Sequence, residues 1–281
     1  MARVLSERTL KMYAQLLAKL TNPKELNLDP KTPDITIPKV MSLPKSTSTL
    51  RGYLSALHHS VKGNPNLMKP YSDKIKELGN IDKVKDKKQE LSETEVLKYM
   101  KWPEILEVVK RIKTYKIVSD SDKLLLDFYT MMPPKRADYS GLKVYNTPPT
   151  VDTGNYIVIQ PKKESYVKIN NHKTQKTYGP IHTVLPAPLK KSVTAYLKKY
   201  PDTKTLWPGM SDAQFSNHIA SIFVPFTGKR IGINILRHAY ISNFLEAAPP
   251  LLEKEAVAKH MGHSVAEQEL YRRLDIKTQT V

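Results

Sequence analysis

The sequence predicts a mainly α-helical protein with one small antiparallel β-sheet, an α+β fold in two parts. Three observations carry that expectation. Apolar residues recur at helical spacing behind serine caps, and three short β-branched runs alternate between residues 155 and 185. A lysine-rich stretch over 83–88, whose one large apolar residue is Val84, lies between two apolar-patterned regions.

In the first region, residues 6–20 put Leu10, Tyr13, Ala14, Leu17 and Leu20 on one helix face, with Ser6 as cap. A proline-punctuated connection from Pro23 to Pro44 follows. The next helix starts near Ser46–Thr47 and buries Leu50, Tyr53, Leu54, Leu57 and Val61, leaving Arg51, His58, His59 and Lys62 on its other side. A shorter helix is expected over Tyr71–Leu78, stopping at Gly79.

These elements give a small all-α domain over 1–82 and a basic linker over 83–91, in which Lys83, Lys85, Lys87 and Lys88 cluster. Taken alone, that cluster reads as a solvated spacer; beside a duplex it could follow the phosphate backbone. Ser92 and Glu95 form a capping-box pattern that opens a second domain over 92–281. There, apolar faces at Ile105–Val109 and Leu124–Met132 predict helices, and Pro133–Pro134 stops the second just before Lys135–Arg136. The runs NYIVIQ (155–160), SYVKIN (165–170) and IHTVL (181–185) predict a three-stranded antiparallel sheet, and helix returns from Pro188.

With 45 Lys+Arg against 27 Asp+Glu, the formal charge of +18 makes nucleic acid the first partner to consider, against a ribosome-associated protein, an anionic membrane surface or a lysine-rich proteome. The absence of cysteine excludes disulfides and thiolate metal sites. No apolar run approaches the ~20 residues of a membrane span, and MARVLSERTLKMYAQ lacks a signal-peptide core, so an intracellular protein off the membrane is expected, in cytoplasm or nucleus. The eight histidines have no carboxylate partner at ligand spacing, and no metal is expected.

Near the C-terminus, NILRHAYISNFL carries Arg237 and KHMGHSVAEQELYRRL carries His263 and Tyr271. An arginine and a histidine followed by a tyrosine can hold a phosphodiester and attack it. Upstream, PPKRADYSGLKV carries Arg136, and NNHKTQKTYGPIHTVLP carries Lys173 between the second and third expected strands. Singly, each has an ordinary reading. Arg136 would be a surface arginine, Lys173 a phosphate-gripping hairpin lysine, His263 structural, and Tyr271 a packing residue beside Leu270 and Leu274.

In that order, however, the set resembles the tyrosine recombinases, the phage-integrase-like enzymes that break and rejoin DNA, and the resemblance runs along nearly the whole chain. SERTLKMYAQLLAKL resembles the first helix of the family's SAM-like core-binding domain, and LSETEV the start of its catalytic domain. The resemblance implies Tyr271 as nucleophile, Arg136, Arg237 and His263 as phosphate ligands, and Lys173 as general acid, with Lys176 a near competitor. The family's His-x-x-Arg is here Asn234-Ile-Leu-Arg237, so Asn234 can donate a hydrogen bond but cannot exchange a proton near neutral pH. Where the family has a glycine before the first arginine and an acidic residue three after it, this chain has Pro134 and Tyr139, and Asp138 could orient Arg136 instead. His238 is expected to pack rather than to act as the missing base.

The activity so implied is site-specific recombination or integration through a 3′-phosphotyrosyl intermediate, without cofactor. The substrate would be double-stranded DNA held between the two domains, with Arg51, Lys62, Lys176 and the linker lysines as further contacts. The assembly would be a homotetramer on DNA, monomeric or weakly associated when free. Two other readings stay open: a noncatalytic DNA-binding descendant, and relaxation of the type IB topoisomerase kind.

Overall fold

The computed structural model describes residues 5–273. The chain divides into two compact units, one ending at Lys88 and one beginning at Gln89.

The first unit is helical: α1 (Glu7–Leu20), α2 (Pro33–Met41), α3 (Thr47–Ser60) and α4 (Pro65–Lys88). Ser6 and Ser46 cap α1 and α3 by accepting the amides of Thr9 and Thr49, each contact of a kind that stabilises by roughly 1 kcal/mol. Leu20, Val40, Leu54, Leu57, Tyr71 and Leu78 meet in one core.

Two expectations are corrected here. The proline-rich connection contains α2, because Pro33 occupies the first turn, where a missing N–H costs nothing, and Thr36 and Val40 are buried. Gly79 does not stop α4. Its missing side chain leaves space beside the Arg51 guanidinium, 3.6 Å from where a Cβ would sit, and Arg51 pairs with Asp82 at 2.9 Å. The helix runs on through this position, so Lys83, Lys85, Lys87 and Lys88 are exposed on its last turns, and Gln89 follows at a left-handed φ of 56°.

The second unit opens with α5 (Glu93–Val96), where the capping box of Ser92 and Glu95 forms as the sequence predicts. Next come α6 (Trp102–Thr114), α7 (Asp120–Thr130) and a single 3₁₀ turn over Ala137–Tyr139. The strands are β1 (Leu142–Tyr145), β2 (Asn155–Val158), β3 (Tyr166–Ile169), β4 (Ile181–Val184) and β5 (Thr205–Leu206). Short α8 (Gln175–Tyr178) lies between β3 and β4, and α9 (Ala187–Lys199) precedes β5. The unit ends with α10 (Asp212–Thr227), α11 (Ile233–Glu246), α12 (Leu251–Met261) and α13 (Val265–Tyr271).

The α+β class holds, but the sheet is larger than expected and mixed. Its order is β4-β3-β2-β1-β5. The three anticipated strands pair antiparallel, with Ile157 opposite Val167 and Lys168 opposite His182. β1 joins β2 in parallel and β5 antiparallel. β1 and β5 lie outside the three alternating runs, and their pairing is set by what they lie beside.

Phe128, Tyr129, Tyr139, Trp207 and Phe215 pack as a mostly edge-to-face aromatic cluster beneath the turn that follows α7. Helix α11 buries residues on several faces, Arg237 among them. Among the described residues, no helix is long and apolar enough to cross a membrane.

Candidate active site

Arg136 stands on the short turn between α7 and the sheet, and successive residues of that turn are each held. The Pro134 carbonyl accepts Nη1 of Arg237 at 2.8 Å, and the Arg136 carbonyl accepts the hydroxyl of Tyr129 at 2.6 Å. Between them the ammonium of Lys135 donates to the carbonyl of His260. The turn is thereby fixed against α11, α7 and α12 at once.

Arg237 is fully buried on α11. Its Nη2 donates to Nδ1 of His263 at 3.3 Å, and its guanidinium carbon lies 4.9 Å from the centre of the Tyr271 ring. Burial weakens its hold on the proton, and Tyr271 is the largest influence in the other direction. Its Nε is buried and has no partner among the described residues.

His263 is 1% exposed and follows Gly262, which caps α12 at φ 70°. A side chain at position 262 would be strained by that φ, and its Cβ would stand 3.1 Å from the hydroxyl of Thr174. Burial, with the charges of Arg237, Arg136 and Lys135, pushes the His263 imidazole down to about 3, so it is neutral at pH 7. Because Nδ1 accepts from an arginine, the ring proton sits on Nε2. That Nε2 donor is itself buried, without a partner among the described residues.

Tyr271 is half-buried on the last residue of α13, behind the Ser264 cap. His238 stacks on its ring at 5.0 Å and His263 lies tilted at 5.3 Å. His238 also donates from Nδ1 to the Tyr271 carbonyl at 2.7 Å. Burial, with Arg273, lowers the His238 pKa to about 4, so its 3.6 Å approach to Glu95 is not an ion pair at neutral pH. It packs against the tyrosine. Leu274 lies outside the described residues.

Arg237, His263 and Tyr271 are thus in mutual contact, and Arg136 is close enough that its charge acts on both Arg237 and His263. Burial pushes Asp138 up, and the charges of Lys135, His172, Arg136 and Arg237 work against that shift. Asn234 is exposed on the first turn of α11, lining a cleft of about 320 Å³ with Arg230, Asn217 and His238.

Lys173 is exposed on the β3–β4 connection, and Lys176 is exposed within α8. The connection is anchored beside Lys173: Thr174 donates to the Gly262 carbonyl at 2.7 Å, and Nε2 of His172 meets the Gly179 carbonyl at 2.8 Å. Arg51 and Lys62 belong to the first unit, Lys62 exposed and Arg51 engaged with Asp82.

Sequence reasoning passed over Lys135, Tyr129 and Thr174. Lys135 was detectable as a basic residue directly after a helix-stopping Pro-Pro, but nothing local distinguishes it from a surface lysine.

No family model matches the chain, and no curated protein matches it. Among solved structures, that of XerA recombinase is similar at a TM-score of 0.46 and 14% identity, over 97% of this chain and 89% of that one.

Proposed function

We propose that this protein is a DNA strand transferase of the tyrosine-recombinase kind. One observation carries the reading. Arg237 and His263 are buried, bonded to each other and in contact with Tyr271, yet each keeps a buried donor with no partner among the described residues. Buried donors left unsatisfied cost about 1–3 kcal/mol each, a cost a bound phosphate would offset. The +18 charge makes a polyanionic substrate the natural source of that phosphate.

In this mechanism Tyr271 attacks the scissile phosphorus through its phenolic oxygen, whose proton leaves to solvent. The bond to the 5′-oxygen breaks, and Lys173 protonates the departing oxygen, giving a 3′-phosphotyrosyl ester and a free 5′-hydroxyl. Arg136, Arg237, His263 and Asn234 hold the non-bridging oxygens as charge builds there. Thr174 supports Lys173 over Lys176 as the acid, because its bond to Gly262 draws the neighbouring residue toward the His263 turn. Attack by a second strand's 5′-hydroxyl reverses the step, and the ester retains the energy needed to reseal the strand. Exchange between two duplexes takes four such sites, hence a tetramer on DNA. Lys62, Lys83, Lys85, Lys87, Lys88 and Lys176 would grip the backbone, with Arg51 contributing where Asp82 leaves it free.

The test is a nicked suicide duplex, followed by a denaturing gel. A covalent adduct that requires Tyr271 supports the reading. Tight duplex binding with no adduct would leave a noncatalytic DNA-binding protein. An adduct with plasmid relaxation but no two-site exchange would assign the topoisomerase-like activity.

A further inference from the structure

Lys135 has no part in the chemistry just described, yet it is 1% exposed in the middle of that site. Burial pushes its ammonium down to about 7, Arg237 adds to the effect, and Asp138 opposes it. A methionine would fill the same length without that cost, so a buried lysine here needs a reason.

The reason lies in what Lys135 joins. Its ammonium reaches the His260 carbonyl in the last turn of α12, the end of a helix where a cation is favoured. Two residues on stands Gly262, then His263. The same helix end is held from the sheet side by Thr183 of β4, whose hydroxyl meets Nδ1 of His260 at 3.0 Å, and by Thr174 on the Gly262 carbonyl. Lys135 belongs instead to the turn that carries Arg136.

We propose that Lys135 is a positioning residue that ties the Arg136 turn to the Gly262–His263 turn, so that both phosphate-holding side chains keep one spacing. This rests on the assignment of Arg136 and His263 to the phosphate site. Misplacing such groups by an ångström costs about 10²-fold in rate without abolishing binding.

The test compares wild type with Lys135→Met, which keeps the length and removes the donors and the charge, and with Lys135→Arg, which keeps both. In the free protein, hydrogen exchange at the Gly262 and His263 amides reads the tether; these amides bond to the carbonyls of Lys259 and Ala258. On a saturating nicked duplex, the first-order rate of adduct formation reads its consequence.

Lys135→Met is expected to fold with undiminished resistance to urea and to exchange faster at those two amides. Its adduct should form about 10- to 100-fold more slowly at unchanged duplex affinity. Lys135→Arg should recover part of that rate. Unchanged exchange, or wild-type rate in Lys135→Met, overturns the proposal. Should Lys135→Met not fold, Lys135→Gln, a shorter neutral donor, replaces it under the same criteria. Absence of any adduct from wild type would overturn the functional reading and the rate claim with it, while the exchange measurement would still show separately whether the tether exists.

Discussion

Arg237 donates from Nη2 to Nδ1 of His263 at 3.3 Å, and that bond decides which imidazole nitrogen carries the proton. A guanidinium can only donate, so Nδ1 accepts and Nε2 bears the hydrogen. His263 can therefore offer a hydrogen bond while staying uncharged, beside arginines that would repel an imidazolium.

His263→Ala should slow adduct formation by about 10²-fold, the usual loss for one transition-state donor. Duplex affinity should hardly move, because the many backbone contacts of a basic protein dominate it. A filter-binding titration beside a single-turnover gel measures both. An unchanged rate would remove His263 from the phosphate site.

Tyr271→Phe keeps the ring that stacks between His238 and His263 and loses one oxygen. Folding and duplex binding should persist, and the covalent adduct should vanish. Lys173→Ala should differ: a 5′-bridging phosphorothiolate substrate, whose leaving group needs no proton, should restore its cleavage but not that of Tyr271→Phe. If the same substrate rescues Lys176→Ala and leaves Lys173→Ala slow, the acid is Lys176.

Stability of the second unit should fall in acid. His263, His238 and His260 all sit below the ordinary 6.5, the first two at about 3 and about 4. Their stability contribution is complete above 6.5 and is lost as pH drops toward the folded values, because the unfolded chain takes up protons the fold refuses. Each such group costs about 1.4 kcal/mol per pH unit in that window. Lys135, at about 7 against 10.5, adds the same sign of dependence between those two values. The chain's two tryptophans, Trp102 and Trp207, lie in the second unit, so urea unfolding followed by their fluorescence reads it directly. A flat profile from pH 7 to pH 5 would contradict the buried neutral histidines.

Replacing Lys83, Lys85, Lys87 and Lys88 with glutamine should weaken binding to every duplex alike. If all four meet phosphates, the slope of log affinity against log salt should fall by about 3 to 4 units, near 0.9 per contact. Affinities measured across a salt series test this. An identical slope would leave the end of α4 as a spacer.

Much of the architecture was legible because it depends on near neighbours along the chain. Ser6, Ser46 and Ser92 accept amides three residues on, and the alternation within residues 155–160, 165–170 and 181–185 suffices to mark β2, β3 and β4. The succession Arg136, Lys173, Arg237, His263, Tyr271 is likewise a candidate set that the resemblance to a known family picks out of the sequence. What escaped depends on partners far along the chain. Gly79 looks like a helix stop, yet α4 runs through it, and Asp82 three residues on pairs with Arg51 of α3. β1 and β5 are strands because each finds an edge to pair with. Lys135 and His260 stand 125 positions apart, and Arg237 and Pro134 103, so no local pattern records that these side chains are buried together. Capping and periodicity act within a few residues, whereas burial, proton position and shifted pKa values come from the dielectric and the charges that folding assembles around a group. The list of candidate residues therefore belongs to the sequence, and their contacts, protonation and spacing belong to the folded chain.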